Sequence, residues 1–423
     1  MAAKKKKKKT VSKKNANITL ILLAGIILMG GYFMLTGNDP LGLFSEVENI
    51  EVPSVEVALT EGAEIVTGQI EETLVVPPTP VPQVDTAATQ GDWWEVYFAD
   101  WENMDDPEVI EGSIAEVIIE KIDAAEESIH IASFEFDLDP VAEALIRAHE
   151  RGVDIRWVTD DEHGLEADEE PGHGQFEMLE EAGIEIRDDG RGALMHNKFW
   201  IFDGKTVWTG STNITKNGIF DQDNNVIVIH SPALAAIYER EFNEMWDGEF
   251  GPRSPSTVEQ QSVVVNGSTI QVLFAAEDEA MDYILPYLAD AKSSIHFMAF
   301  SFTYDNMEDV ITDRYENGID VMGVFEKTGS STEYSELGDM YCSGMKVRRD
   351  GNGGFLHHKV VIVDERIVIT GSLNFSDNAN DSNDENVLIV DNADIAALYL
   401  QEFDRVWNIA EDVEEGKFDC ANN

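Results

Sequence analysis

Beyond its first fourteen positions this chain is poor in positive charge. Eight of its 29 lysines and arginines precede Asn15, which leaves 21 against 82 aspartates and glutamates. The net charge of the whole is −53 at pH 7. Such a surface repels polyanions at range. No basic patch or stacking platform for nucleic acid is legible either, so a nucleic-acid partner is disfavoured. Salt relaxes the repulsion, since the Debye length shrinks to about 3 Å at 1 M. A salt-adapted exported protein fits this composition, and so does any strongly solvated surface. Cysteine is also scarce: Cys342 and Cys420 are the only two. There is no Cys-x-x-Cys and no Cys/His cluster, which argues against a zinc site. No metal and no cofactor is expected, and no obligate protein partner is implied. In an exported protein the two thiols could pair.

Long apolar runs are missing too, with one exception. "ITLILLAGIILMGGYFML", Ile18–Leu35, holds 18 uncharged residues behind a lysine cluster. That length reaches the lower end of a bilayer span. The lysines should stay cytoplasmic, which puts the rest of the chain outside. The absence of an Ala-x-Ala site and the run length favour an uncleaved anchor over a removed signal. Residues 1–36 are therefore read as tail plus single transmembrane helix. Residues 37–91 are acidic and contain "VVPPTPVPQ", which suits a semi-rigid linker, with room for a short strand between Val47 and Val75.

The remainder repeats itself. "SIHIASFEF" (Ser128–Phe136) returns as "SIHFMAFSF" (Ser294–Phe302), and "GVDIRWV" returns as "GIDVMGV". Strands alternate with amphipathic helices in the same order in both copies. This predicts an α/β fold of two homologous lobes, each a mixed β-sheet flanked by helices, over residues 92–255 and 256–423. The period is domain-sized, so the lobes should pack about a pseudo-two-fold axis, with the active site between them.

Each copy carries His-x-Lys, four residues, then Asp: His196, Lys198, Asp203 and His357, Lys359, Asp364. The spacing selects His357 and leaves the adjacent His358 at the x position. Residues two apart on a strand share a face, so His and Lys reach one side together. The apolar stretches "FWIF" and "VVIV" anchor that strand. A hairpin then brings Asn213 or Asn374 back beside its own pair. Two histidines, two lysines and two asparagines suit phosphodiester cleavage without a metal. The lysines can hold phosphate oxygens and the amides can donate to them. One imidazole can attack phosphorus while the other protonates the leaving oxygen. Asp203 and Asp364, at the far ends of buried strands, are expected in turn-forming roles. His130 and His296 lie within apolar strands and read as satisfied core histidines. His149, His163, His173 and His230 show no paired pattern.

These doubled motifs, spread over roughly Asp92 to Val413, resemble those of the phospholipase D superfamily. The resemblance implies that His196 is the nucleophile and His357 the general acid. Lys198, Lys359, Asn213 and Asn374 would hold phosphate, with Ser211 and Ser372 adding hydroxyl contacts. It also implies a downstream Glu that orients the histidine across the site. The second copy supplies Glu385, whereas the first has Asn224 at that place. The two histidines would then be electrostatically unequal. The implied activity is a membrane-anchored phospholipase D acting on phospholipid at a membrane surface. An endonuclease or a phosphatidyl transferase of the cardiolipin synthase type would use the same residues. The acidic loop Asp160–Gly174 would favour a cationic head group.

Overall fold

A computed structural model describes residues 83–84, 93–102, 106–107 and 109–420. The apolar run Ile18–Leu35 and the candidate strand between Val47 and Val75 lie outside the described residues. Among the described residues no helix is long and apolar enough to cross a membrane.

The two apolar stretches that follow the His-x-Lys pairs become central strands. Lys198–Phe202 (β6) and Lys359–Val363 (β14) are buried along their whole length. Alternation explains how a continuous apolar run is used. Phe199 and Ile201 enter the core between the lobes, and Trp200 and Phe202 enter the first lobe's outer core. Val360 and Ile362 repeat the first pattern, and Val361 and Val363 face the second lobe's outer core. A strand covered on both faces needs no polar side.

Around β6 the first lobe forms a seven-stranded mixed sheet. Its other strands are Trp94–Phe98 (β2), Ser128–Ser133 (β3), Asp154–Thr159 (β4), Glu185–Asp188 (β5), Thr206–Gly210 (β7) and Asn225–His230 (β8), in the order β2-β8-β7-β6-β3-β4-β5. The β3–β4–β5 pairs are parallel and the rest antiparallel. In the second lobe Ser268–Ala275 (β10), Glu385–Asp391 (β16), Ile367–Gly371 (β15), β14, Ser294–Ala299 (β11), Asp320–Phe325 (β12) and Lys346–Arg349 (β13) repeat this order. Three further strands lengthen this sheet: Gln83–Val84 (β1), Ser262–Val265 (β9) and Glu411–Asp412 (β17). Gln83–Val84 lies within the segment read as linker and pairs in parallel with Val263 and Val264.

Helices Ile114–Ala124 and Asp139–Glu150 cover the outer face of the first sheet, and Ala280–Ala289 and Asp305–Glu316 that of the second. The closing helices Pro232–Trp246 and Ala393–Ile409 send Leu234, Tyr238 and Phe242, and Ile395, Tyr399 and Phe403, into the shared core between the sheets. A polar seam crosses that core. Asn386 donates to Asn197 Oδ1 at 3.0 Å and accepts from Thr209 at 2.6 Å. Equivalently, Asn225 Nδ2 meets His358 Nδ1 at 3.0 Å, while its Oδ1 accepts from Thr370 at 2.9 Å. Buried amides paired in this way specify how the lobes register.

The motif aspartates tie strands together. Asp203 and Gly204 have φ of 53° and 58°, and Lys205 N–H donates to Phe202 at 2.9 Å, which makes a tight hairpin turn. The Asp203 carboxylate accepts backbone N–H groups of Glu126, Glu127 and Ser128, the shortest at 2.7 Å. Asp364 does the same for Lys292, Ser293 and Ser294. Each motif aspartate thus fastens its hairpin to the start of the neighbouring strand, β3 or β11. His130 and His296 differ from expectation. Both are half-buried, because their strand positions face the margin of the closing helices. His130 bonds Glu239 at 2.7 Å, but His296 Nδ1 is buried without a partner.

Cys342 and Cys420 form a disulfide that fastens the C-terminal tail to the helix Leu337–Cys342. Three stability outcomes follow. Glu365 holds φ of 55° without being glycine. Replacing it with glycine should stabilise by about 1 kcal/mol, while Asp364→Ala should cost about 2 kcal/mol, read as shifts of the urea midpoint. Cys342→Ser with Cys420→Ser should lower stability by up to about 4 kcal/mol, and reductant should mimic the change.

Candidate active site

Backbone pairing between the lobes brings the motifs together. His196 N–H donates to Asp384 O at 2.9 Å, and Asp384 N–H donates to Leu194 O at 2.8 Å. The reciprocal bonds run from His357 to Asp223 and from Asp223 to Phe355, both 2.9 Å. Each histidine thereby lies beside the residue that follows the opposite lobe's aspartate: Glu385 for His196, Asn224 for His357. Buried charge holds these crossings. Arg191 ion-pairs with Asp384 and Asp189, and Arg405 with Asp223 and Glu402.

The histidine environments are unequal. His196 Nδ1 lies 2.8 and 2.9 Å from the two Glu385 oxygens. His357 Nδ1 lies 2.9 Å from Asn224 Oδ1. Asn224 Nδ2 donates to Gly218 O at 2.8 Å, so its oxygen faces the imidazole and His357 carries its proton on Nδ1. The downstream carboxylate and amide therefore reach across the site. In both rings Nε2 is the nitrogen left for a substrate.

Ser211 and Ser372 sit behind these partners. The Ser211 hydroxyl donates to Asn224 Oδ1 at 2.8 Å, and the Ser372 hydroxyl bonds Glu385. Their position has a backbone cause. A Cβ on Gly210 would meet Asn225 O at 2.2 Å, and one on Gly371 would meet Asn386 O at 2.1 Å. Only glycine permits this approach, which delivers the next residue's hydroxyl beneath the orienting side chains. The expected hydroxyl contact is thus made to protein.

Lys198 Nζ donates to His196 O and Lys359 Nζ to His357 O, each at 2.8 Å. Their ammoniums lie over Phe134 and Phe300, at 4.9 and 4.6 Å from the ring centroids. The same rings pack edge-on against His196 and His357, both at 4.8 Å. Asn213 Nδ2 donates to Glu135 at 2.8 Å, and the side-chain oxygens of Asn213 and Asn374 are buried without a protein partner. The two unpaired atoms are acceptors at equivalent places, so a phosphate oxygen could be held there only by the amide N–H groups, not by these oxygens.

Burial sets the proton affinities. It lowers Lys198 to about 8, against the pull of Glu385 and Glu135. Lys359 falls well below the usual ammonium range, through burial and then Lys198. Burial and the two lysines drive both histidines well below the usual imidazole value. Burial pushes Glu385 up to about 8, and Lys198 opposes it. The site is short of negative charge, and a phosphodiester anion would restore protons to its cations.

Residues without motif spacing were missed. Glu135 sits against Asn213 in the first lobe, where the second has Ser301. His163 packs on Phe134 at 4.9 Å. The carboxylates of Asp160, Asp161 and Asp189 lie within 4.8 Å of one another. Asp160 receives the N–H groups of Glu162, His163 and Met195, and Asp189 receives Asp161 N–H and Arg191. Two of these three carboxylates, Asp160 and Asp189, are thus engaged in holding the loop.

A family profile described as "Cardiolipin synthase, PLD-like domain" matches residues 118–246 and 284–407. Human mitochondrial cardiolipin hydrolase is 33% identical over 130 residues, 31% of this chain and 52% of that protein. A Rickettsia bellii protein named phospholipase D is 28% identical over 134 residues, 32% of this chain and 67% of that one. The chain spans about half the length of the first curated relatives it matches. The structure of phosphatidylserine synthase from Haemophilus influenzae aligns with a TM-score of 0.56 at 18% identity, covering 76% of this chain and 87% of that one. That likeness concerns the fold, two lobes included. With both copies matched by the profile, the chain belongs to the PLD-like domain family of the phospholipase D superfamily.

Proposed function

We propose that the protein is a metal-independent phosphodiesterase, a phospholipase D that releases the head group of a phospholipid and leaves phosphatidate. The observation that carries this reading is the crossed pairing of His196 with Glu385 and His357 with Asn224 over two buried lysines. In the first step His196 Nε2 attacks phosphorus and the bond to the head-group oxygen breaks. That oxygen takes a proton from His357 Nε2, which carries one only as imidazolium, the form that the bound phosphodiester's negative charge restores. The phosphohistidine ring is cationic, and the Glu385 carboxylate on Nδ1 stabilises it, which supports His196 as nucleophile. Asn224 offers His357 no charge and leaves it to exchange a proton. Water then gives a proton to His357 and its hydroxide adds to phosphorus as the P–N bond breaks. Lys198, Lys359, Asn213 and Asn374 hold the phosphate oxygens.

Lipid is favoured over nucleic acid by the net charge of −53 and by the names of the relatives. The lysine-rich start and the apolar run beyond it support a membrane anchor with the catalytic lobes outside the cytoplasm. A disulfide is consistent with that side of the membrane. An endonuclease or a phosphatidyl transferase would use the same phosphohistidine, and product analysis separates them.

The test uses the full chain in detergent with phosphatidylcholine and, separately, single-stranded DNA, in excess chelator. Head-group release should persist in chelator, vanish in His196→Ala and fall at least about a hundredfold in Glu385→Gln. With a p-nitrophenyl ester, whose leaving group needs no acid, His357→Ala should accumulate a covalent adduct on the peptide containing His196. An adduct on His357 in the His196→Ala protein would reverse the roles, and DNA cleavage alone would sink the lipase reading. A second outcome concerns charge. Tungstate should inhibit by occupying the phosphate position, with affinity weakening above about pH 8 as Lys198 loses its proton and Glu385 becomes charged. Affinity that ignores this boundary would remove the lysine from anion binding.

A further inference from the structure

On the His357 side of the site lies a pocket of about 560 Å³. Trp101, Phe220 and Phe355 line it together with Glu102 and Asp221. Its place follows from backbone bonds already described: Phe355 O accepts from Asp223, and Asp223 O accepts from His357. Phe300 spans the two sites, at 6.1 Å from the Phe355 ring and 4.8 Å from His357. Gln222, on the pocket wall, accepts from Asn224 at 3.2 Å, and Asn224 in turn holds His357.

The lining is built. Trp101 Nε1 donates to the buried Asp223 at 2.8 Å, which fixes the indole. Gly354 lies so close to the Asp221 backbone that a Cβ would meet Asp221 O at 2.1 Å. Phe355 is 41% exposed, one of three large apolar side chains so open among the described residues. Asp221 and Glu102 are exposed beside it. The pocket draws on both lobes, and the symmetry-related place differs in sequence. Leu194 and Asp381 hold the positions equivalent to Phe355 and Phe220.

We propose that this pocket is the leaving-group subsite and that it takes an alcohol carrying an organic ammonium, of the choline or ethanolamine type. The proposal rests on the phospholipase reading above. If His357 protonates the leaving oxygen, the carbon skeleton attached to that oxygen must lie on the His357 side. Aromatic faces beside carboxylates attract a bulky, weakly hydrated cation and give little to a neutral polyol. The acidic loop Asp160–Gly174 is a poorer candidate. Asp160 and Asp168 there are committed to backbone N–H groups, those of Glu162, His163, Gly174, Phe176 and Glu177.

The first test needs no turnover. Full-length His196→Ala protein is titrated calorimetrically with choline and with its uncharged carbon isostere, dimethylbutanol, at fixed ionic strength. Choline should bind at least about tenfold more tightly, and Phe355→Leu and Asp221→Asn should each reduce that preference. The second test measures kcat/KM of otherwise unaltered enzyme on phosphatidylcholine and phosphatidylglycerol vesicles. The ratio should fall about tenfold in Phe355→Leu. Both side chains are exposed, so neither change endangers folding. Equal binding of choline and its isostere, or an unchanged ratio in both variants, would overturn the proposal. Choline binding by a protein that cleaves no lipid would uphold the cation pocket and remove the phospholipase reading.

Discussion

Everything in the site depends on burying four nitrogenous groups, Lys198, Lys359, His196 and His357, with too little carboxylate around them. Cations taken out of water resist charging unless a partner compensates. Glu385 has to serve both lysines, Glu135 adds its pull to Lys198, and burial favours the protonated form of both carboxylates. The free site is therefore electrostatically incomplete. A phosphodiester supplies the missing negative charge at the spot the lysines flank. Affinity for that group is built into the folding of the lobes, since the lysines are fixed by strands β6 and β14, buried along both faces.

Duplication explains how such a cluster is assembled. Neither lobe holds a full set: His196 takes its carboxylate from the second lobe, and His357 takes its amide from the first. The backbone bridges at Asp384 and Asp223 set this exchange, and the Asn386 and Asn225 seam holds the register behind it. Loosening the lobes would uncouple each imidazole from its partner, so the large apolar core between the sheets serves the chemistry as well as stability. The motif aspartates act one step further out. By tying the hairpins to the strands before them, they fix where β6 and β14 begin, and hence where the lysines stand.

Much of this was legible in the sequence because it repeats. A His-x-Lys pair recurring with Gly-Ser-x-Asn at the same distance gives the two lobes and the strand beneath each pair, and the resemblance to the phospholipase D superfamily implied the placement of Glu385 and Asn224. The turn role of Asp203 and Asp364 followed from their place after a buried strand. What repetition cannot reveal is whatever differs between the copies. Glu135 faces Asn213, but its counterpart is Ser301, so no pattern marked it. Arg191 meets Asp384, and Trp101 shares a pocket with Phe355, only because the two sheets face one another. The serine hydroxyls were misdirected for a local reason. Gly-Ser reads as a phosphate contact, yet the close approach of Gly210 and Gly371 to the next strand turns the hydroxyl inward. His296 was read as satisfied because its neighbours are apolar, but the closing helix leaves its ring half-open and one nitrogen unpaired.

The differences between the copies are also where a nearly symmetric site gains direction. A phosphodiester has two unlike ends, and a truly symmetric pair of histidines would not distinguish them. The departures are chemical and consistent. Glu385 can stabilise a charged ring, and Asn224 cannot. The position of Phe355 is aromatic on the His357 side, and its equivalent Leu194 is aliphatic. Behind the site, burial opposes charging of Glu402, yet Arg405 and His358 overcome it and hold the carboxylate at about 2. Its counterpart Glu241 faces Glu277, Glu244 and Asp278 instead, and burial with those neighbours pushes it well above the usual carboxylate value. The His-x-Lys pairs have kept the symmetry of the duplication, while the groups that on the proposed reading decide which end of the substrate leaves have lost it.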